Sequence, residues 1–174
     1  MRQLHTRRPE LRFEIAAASK ALADQIQSHL ETGGMSGHSL GEVTLSVREA
    51  AQTMQRSAAG VVASGTATLE AAFFRLPFVL VYKVAMLTYL AGRILIRIKH
   101  LGMPNVLANR EIVPEFIQRN AQPAAIADQL LQLLDDGARR EQMLADFEEA
   151  IAKLGKGGAD EAAARAILQT LRSE

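Results

Sequence analysis

Short apolar runs alternate with segments of helical periodicity along the first two thirds of this chain. Each run is bounded by turn-forming residues, which predicts strands at Leu11–Ser19, Glu42–Val47, Gly60–Ala63 and Pro77–Val84. Apolar side chains at helical spacing predict helices at Lys20–Leu30, Arg48–Ala58, Thr66–Arg75 and Met86–Leu101. The segment Gly33–Gly41 is a loop by composition, and from Val113 onward the pattern predicts helices, with breaks near Pro123, Gly137 and Gly155.

Apolar strands that alternate with helices are typical of a parallel sheet covered on both faces. The predicted fold class is therefore α/β, a doubly wound parallel sheet with a helical C-terminal tail. A sheet of this kind should have another strand before Leu11, so we expect the N-terminus to be a cut rather than a beginning. A sheet without an inner strand exposes a strand edge, which predicts self-association.

The composition is that of an ordinary globular domain. Of 174 residues, 48% are hydrophobic and 22% are charged, and a net charge of +1 gives no general attraction to nucleic acid. Cysteine is absent, which excludes a disulfide framework and a thiolate metal site and fits a cytoplasmic protein. The four histidines lack metal-ligand spacing, and the charged start lacks the apolar core of a signal peptide. We therefore expect neither a metal site nor export.

The charges are distributed unevenly along the chain. Residues 71–110 hold no acidic side chain, and their cations are Arg75, Lys83, Arg93, Arg97, Lys99 and Arg110. Residues 111–174 hold twelve acidic residues against seven lysines and arginines. Two interpretations stay open: a basic surface beside an acidic helical tail, or a site for anionic groups such as phosphates or a phospholipid surface.

The predicted helix Met86–Leu101 carries an apolar stripe of leucines and isoleucines, with Arg93 and Arg97 beside it. Such a stripe usually belongs to the core. The alternative is a helix at a membrane interface, with its arginine head groups at lipid phosphates. We do not expect a membrane-spanning segment, because a lysine and two arginines interrupt the apolar run, and each costs about 3 kcal/mol at the bilayer centre.

Ser64, Gly65 and Thr66 form a turn between a predicted strand and a predicted helix. Gly65 permits a tight turn, and the first amides of the following helix point outward with the positive end of its dipole, as in phosphate sites. Ser64, Thr66 and Thr68 could cap the helix or donate hydroxyls to the same anion, and Glu70 could accept both hydroxyls of a ribose. Ordinary helix capping explains the same residues, so both interpretations stay open on the local pattern.

Motifs beyond this turn favour the phosphate-binding interpretation. The motifs ASGTATLEAAFFRLPFVLVYKV, LTYLAGR and GMPNVLANREIVPEFIQ resemble, in order and spacing, the C-terminal half of the lipid A disaccharide synthases. The resemblance runs from about Leu11 to the end and is strongest from Ala63 to Gln118. It implies an inverting glycosyltransferase of two Rossmann-like lobes (the GT-B architecture), which transfers diacylglucosamine from its UDP derivative to 2,3-diacylglucosamine 1-phosphate. Residues 1–120 would be an incomplete nucleotide-sugar-binding lobe, and residues 121–174 a helical segment packed on the lobe or on a partner.

Carried over position by position, the resemblance implies a donor-binding site. The matching residues are Ser64, Gly65, Thr66, Ala67, Thr68, Glu70, Tyr82, Lys83, Asn105, Arg110, Glu111, Glu115 and Gln118. The first five would lie at the UDP diphosphate, and Glu70 would hold the ribose. By local pattern alone, Pro104 indicates an ordinary turn, and Pro114 an ordinary helix start. Asn109 stands where the family commonly has glycine, and Asn tolerates a positive φ better than most residues.

The resemblance also implies what this chain binds and what it lacks. The family's Gly-Ser-Arg turn and its acceptor lobe, which bears the acidic groups thought to act as the base, have no counterpart here. We therefore name no catalytic base and expect the chain alone to be inactive. The implied partners are UDP-diacylglucosamine, a lipid acceptor and an anionic membrane surface, and no cofactor is implied. Arg93 and Arg97 would face the membrane or the acyl chains. We expect the chain to form a homo-oligomer or to join a separate acceptor lobe, and to lie on the cytoplasmic face of the inner membrane. The alternatives are one subunit of a split N-acetylglucosaminyltransferase, and a non-catalytic UDP-sugar-binding or membrane-surface module.

Overall fold

The computed structural model describes residues 1–33, 43–83, 99–155 and 158–171. The N-terminal elements are α1 (Arg2–Arg7), β1 (Phe13–Ala17), α2 (Lys20–Thr32), β2 (Val43–Val47), α3 (Ala50–Arg56) and β3 (Gly60–Ala63). These are followed by α4 (Ala67–Phe73), β4 (Phe78–Tyr82), α5 (Met103–Ala108), β5 (Glu115–Ile117) and a 3-10 turn (Gln118–Asn120). The C-terminal part is helical, with α6 (Pro123–Asp135), α7 (Gly137–Ala152) and α8 (Ala159–Leu171).

The described strands form two parallel ladders. Strand β1 pairs with β2, and β4 lies between β3 and β5. Helices alternate with the strands along the chain, which confirms the predicted α/β class with its Rossmann-like arrangement. The four predicted strands and the first three predicted helices are present, with their described ends shifted by at most two residues.

Strand β4 is the centre of the core. Phe78, Val79 and Leu80 are fully buried, because this strand has a neighbour on each side and helices packed over it. Phe147 of α7 is also fully buried and stacks on Phe78 with ring centroids 5.7 Å apart. Leu133 of α6 lies in the same hydrophobic cluster. Helices α6 and α7 therefore share one core with the sheet that they follow in sequence.

A polar cluster joins strand β1 to helix α3. The Arg56 guanidinium donates to the Glu14 carboxylate through Nε at 2.8 Å, and the Thr53 hydroxyl donates to the same carboxylate at 2.8 Å. Hydrogen bonding from Arg56 holds the pKa of Glu14 below its ordinary value. The carboxylate is therefore a structural acceptor, which ties the first ladder to the helix that packs on it.

Two elements differ from the sequence-based prediction. The run from Val113 to Glu115 was expected to begin a helix, but Glu115 begins β5 and lies opposite Leu80 of β4. Pro104 was expected in an ordinary turn, but it lies in the first turn of helix α5, where its missing N–H is harmless. Helix α5 ends at Asn109 with φ 54° and ψ 26°, a left-handed conformation that asparagine tolerates better than most residues.

Some predictions fall on residues outside the described ranges. Most of the predicted helix Met86–Leu101 lies there, including Arg93 and Arg97, and so does nearly all of the predicted loop Gly33–Gly41. Across the described ranges, no helix has the length and apolar character needed to cross a bilayer.

Candidate functional site

Three neighbouring strands end at one edge of the sheet, and a predicted site residue follows each of them. Ser64 follows β3, Lys83 follows β4 and Gln118 follows β5. Because β3, β4 and β5 are parallel, their carboxyl ends meet at this edge. Ligands of open parallel sheets bind outside the carboxyl ends of the strands. The fold therefore brings together residues that are more than fifty positions apart in the sequence.

The strand register shows which residues lie side by side at this edge. Ala63 lies opposite Val81, and Tyr82 lies opposite Ile117. The Ser64 amide donates to the Val81 carbonyl at 3.1 Å, which continues the β3–β4 ladder by one residue. Ser64, Tyr82 and Ile117 thus lie in one row across the three strand ends. The next residues along the chain, Gly65, Lys83 and Gln118, follow that row.

The turn from Ser64 to Thr68, here called the Gly65 turn, is open on its outer side. Gly65 has a φ of 142°, and a Cβ at this position would meet no atom within 4 Å. Thr66 is the N-cap of α4 and makes no side-chain capping bond. The amides of Gly65, Thr66 and Ala67 have no acceptor among the described residues. The turn therefore leaves three amides without an acceptor in the described ranges, and Gly65 and Thr66 are exposed.

Thr68 lies on the inner side of this turn. Its side chain is fully buried, its hydroxyl donates to the Gly65 carbonyl at 2.7 Å, and it accepts from the Met103 amide at 3.4 Å. The sequence left two roles open for the Thr68 hydroxyl: capping the helix or donating to a bound anion. In the structure that hydroxyl is committed to the chain itself, so Thr68 supports the turn from beneath.

Glu70 lies in the first turn of α4 and is exposed. Its carboxylate has no side-chain or main-chain partner within the described part of the chain. A carboxylate with both oxygens free can accept two hydrogen bonds from neighbouring hydroxyls. Glu70 therefore keeps the capacity that a ribose would use, one helical turn behind the Gly65 turn.

Asn105 is fully buried and uses its whole amide within the chain. Its Nδ2 donates to the Val113 carbonyl and to the Glu115 carboxylate, each at 2.8 Å. Its Oδ1 accepts from the amides of Ile112 and Val113, each at 2.8 Å. An Asn amide has two donor hydrogens and two acceptor lone pairs, and all four are occupied. Asn105 thus fixes the loop after α5 and leaves no polar position for a ligand.

Glu115, expected at the border of a donor pocket, is also turned inward. One carboxylate oxygen accepts from the Gly102 amide at 2.9 Å, and both oxygens lie 3.0–3.1 Å from the Leu101 amide. Together with the bond from Asn105, these contacts make Glu115 an acceptor for the N-terminal end of α5. A carboxylate fits this role because it accepts without donating and favours the positive end of a helix.

Arg110 is engaged with helix α7. Its guanidinium forms a two-pronged ion pair with Asp146, at 2.8 and 3.0 Å, and lies 3.4 Å from Glu149. The ion pair raises the pKa of Arg110 and lowers that of Asp146. Glu111, next along the chain, lines a depression of about 230 Å³ against the same helix. Asp146 could not be singled out from the sequence, since an acidic residue on a helix is ordinary.

Gln118 follows β5 with a φ of 51°, an uncommon conformation for a side chain of this type. The sequence placed Gln118 in a predicted helix, whereas the structure places it directly after β5. Within the described ranges, no three side chains of His, Cys, Asp or Glu are placed to hold a metal ion together. Of the thirteen predicted positions, the structure therefore gathers those near the strand ends and commits the polar groups of Thr68, Asn105, Arg110 and Glu115 to internal contacts.

Comparison with known proteins gives a consistent result. A family model described as lipid-A-disaccharide synthetase matches residues 1–169, a longer stretch than the resemblance from Leu11 onward. The lipid-A-disaccharide synthase of Hahella chejuensis is 39% identical over 168 residues, which cover 97% of this chain and 41% of that protein. The Geobacter sulfurreducens enzyme of the same name is 36% identical, with 97% and 42% covered, and that of Pseudomonas aeruginosa is 38% identical, with 96% and 42% covered. The chain thus spans about two fifths of the length of these relatives. Since the family model covers nearly all of its residues, the chain belongs to the lipid-A-disaccharide synthetase family.

Proposed function

We propose that this chain is the donor-binding half of a lipid A disaccharide synthase and that it binds UDP-2,3-diacylglucosamine at the edge formed by β3, β4 and β5. The observation that carries the proposal is the exposed Gly65 turn, in which three amides, and the Glu70 carboxylate behind them, have no partner among the described residues. Membership of a family whose named relatives are lipid-A-disaccharide synthases supplies the substrate class.

Each group at the edge has a distinct part in this proposal. The amides of Gly65, Thr66 and Ala67 donate to the diphosphate, and the open space at Gly65 lets a phosphate oxygen approach the backbone closely. Lys83, exposed beyond the end of β4, supplies positive charge to the same anion. Glu70 accepts hydrogen bonds from the ribose hydroxyls.

The proposed reaction is a direct displacement with inversion. The acceptor hydroxyl loses its proton to a base and attacks the anomeric carbon, while the bond from that carbon to the UDP oxygen breaks. The Gly65 turn stabilises the negative charge that develops on the departing diphosphate. We place the base and the acceptor site in the part of the relatives that this chain does not cover. The lipid acceptor, the anionic membrane surface and an oligomeric or two-part assembly belong to the same proposal.

Glu70→Ala tests the ribose contact. Loss of a charge-assisted hydrogen bond costs about 1.5–3 kcal/mol, so we expect UDP affinity to fall about 10- to 100-fold in a calorimetric titration. The same substitution should matter less for 2′-deoxy-UDP, which lacks one of the two hydroxyls. Glu141→Ala, at an exposed glutamate of α7, is the matched control and should bind UDP like the unchanged chain. Equal affinities of the Glu70 and Glu141 variants for UDP would contradict the assignment.

A further inference from the structure

We infer that Glu115 and Thr68 are positioning residues, which set the affinity of the edge for its nucleotide by holding the Gly65 turn in place without touching the ligand. This inference rests on the proposed function and goes beyond it, because it assigns control of the site to two side chains whose polar atoms face the interior. Two hydrogen-bonded connections to the turn carry the argument.

The first connection runs through Thr68. Its hydroxyl donates to the Gly65 carbonyl at 2.7 Å and accepts from the Met103 amide at 3.4 Å. Met103 is the first residue of α5, so one buried hydroxyl links the turn after β3 to the start of the helix before β5. A shift of α5 therefore acts directly on the Gly65 carbonyl.

The second connection runs through Glu115. Its carboxylate accepts hydrogen bonds from the Leu101 and Gly102 amides at 2.9–3.1 Å. The Ser64 hydroxyl in turn donates to the Leu101 carbonyl at 3.5 Å. Gly102 is buried, and a Cβ there would lie 2.9 Å from Leu80 and 3.2 Å from the Glu115 carboxylate. The segment 101–103 is thus fixed from one side by β5 and contacts the Gly65 turn on the other.

The requirement for a carboxylate at Glu115 is specific. Three N–H donors converge on its two oxygens, from Leu101, Gly102 and Asn105. Glu115→Gln keeps the shape but places an NH₂ group against N–H donors. In the Oε2 position that group faces the Leu101 amide, and in the Oε1 position it faces the donors of Leu101, Gly102 and Asn105. The segment 101–103 must then shift. The displacement reaches the turn through Ser64 and Thr68.

The experiment measures UDP affinity by calorimetry well below the melting temperature, using Glu115→Gln, Thr68→Val and Thr68→Ser. We expect Glu115→Gln and Thr68→Val each to weaken UDP binding about 3- to 30-fold, the range of couplings through packed polar networks. Thr68→Ser keeps the hydroxyl and should restore most of the affinity.

Glu14→Gln is the matched control, since it also removes a carboxylate from a strand, breaks the contacts with Arg56 and Thr53, and lies outside the edge. It should lower the melting temperature and leave UDP affinity unchanged.

A second readout needs no ligand. In ¹H–¹⁵N spectra of the free protein, the Gly65 and Thr66 amide signals should move in Glu115→Gln and Thr68→Val but not in Glu14→Gln. The inference is overturned if those signals stay in place, or if the variants lose only melting temperature while their UDP affinity matches that of the unchanged chain. Absence of UDP binding by the unchanged chain would instead refute the proposed function, and the ligand-free spectra would then decide the inference by themselves.

Discussion

Gly65→Val is expected to weaken UDP binding by about 100-fold or more. A φ of 142° is available to glycine and costs other residues about 1–3 kcal/mol, so a valine forces the turn into another conformation. Its branched side chain would also enter the open space in front of the turn, where the proposal places a phosphate. Together these effects cost more than the roughly 2.7 kcal/mol of binding free energy that corresponds to a 100-fold loss of affinity. Calorimetric titration of UDP measures the loss.

Gly155→Val separates backbone strain from ligand contact. Gly155 follows α7, has a φ of 82° and also has open space at the Cβ position. A valine there introduces comparable strain at a position distant in sequence from the three strand ends. We expect both variants to lose stability and only Gly65→Val to lose UDP. Retention of normal UDP affinity by Gly65→Val would show that the nucleotide does not approach this turn.

Phe147→Ala is expected to lower the free energy of unfolding by about 3–5 kcal/mol, the cost of deleting a buried aromatic side chain. Phe147 is 0% exposed and stacks on Phe78, which is also 0% exposed. The vacated space lies between α7 and the central strand of the β3–β4–β5 ladder, where neighbouring side chains are already closely packed. Urea denaturation followed by circular dichroism measures the change.

Phe73→Ala is the corresponding surface control. Phe73 belongs to α4 and is 65% exposed, with an edge contact to Phe74 as its ring partner. Its removal should cost less than about 1 kcal/mol, because little apolar area returns to water. If both phenylalanine variants lost the same free energy, α7 would not share the core of the sheet.

The strands could be located from the sequence because their apolar runs are short and bounded by turn-forming residues. Gly60–Ala63 was predicted with its observed ends, and the burial of Phe78, Val79 and Leu80 matches a strand covered on both faces. The left-handed conformation of Asn109 is consistent with its replacing a glycine of the family, because asparagine tolerates a positive φ better than most residues. These predictions depend on properties that act over a few neighbouring residues.

Strand β5 and helix α5 were missed for a physical reason. Glu115–Ile117 has three residues, each half-buried, so no run or alternation marks it as a strand. Its pairing with β4 is a tertiary interaction that local propensity cannot show. Helix α5 has six residues, including a proline and an asparagine, which are equally typical of a loop.

The roles of the polar motif residues divide in a way that sequence could not predict. Thr68, Asn105 and Glu115 have the donor and acceptor groups that a ligand site needs, yet the chain itself occupies them. Glu70 carries the same carboxylate as Glu115, but it has no partner within the part of the chain that the structure describes. Residue type fixes the capacity for hydrogen bonding, whereas only the folded arrangement determines which partner fills it.

The most direct test is a titration of UDP into the ¹⁵N-labelled chain, followed at its backbone amides. We predict saturable shifts of the Gly65, Thr66 and Ala67 amides, with weaker changes at Lys83 and Gln118 and none in α8. Saturation with unchanged signals at all three turn amides, or shifts confined to the depression lined by Glu111, would contradict the placement of the nucleotide at this edge.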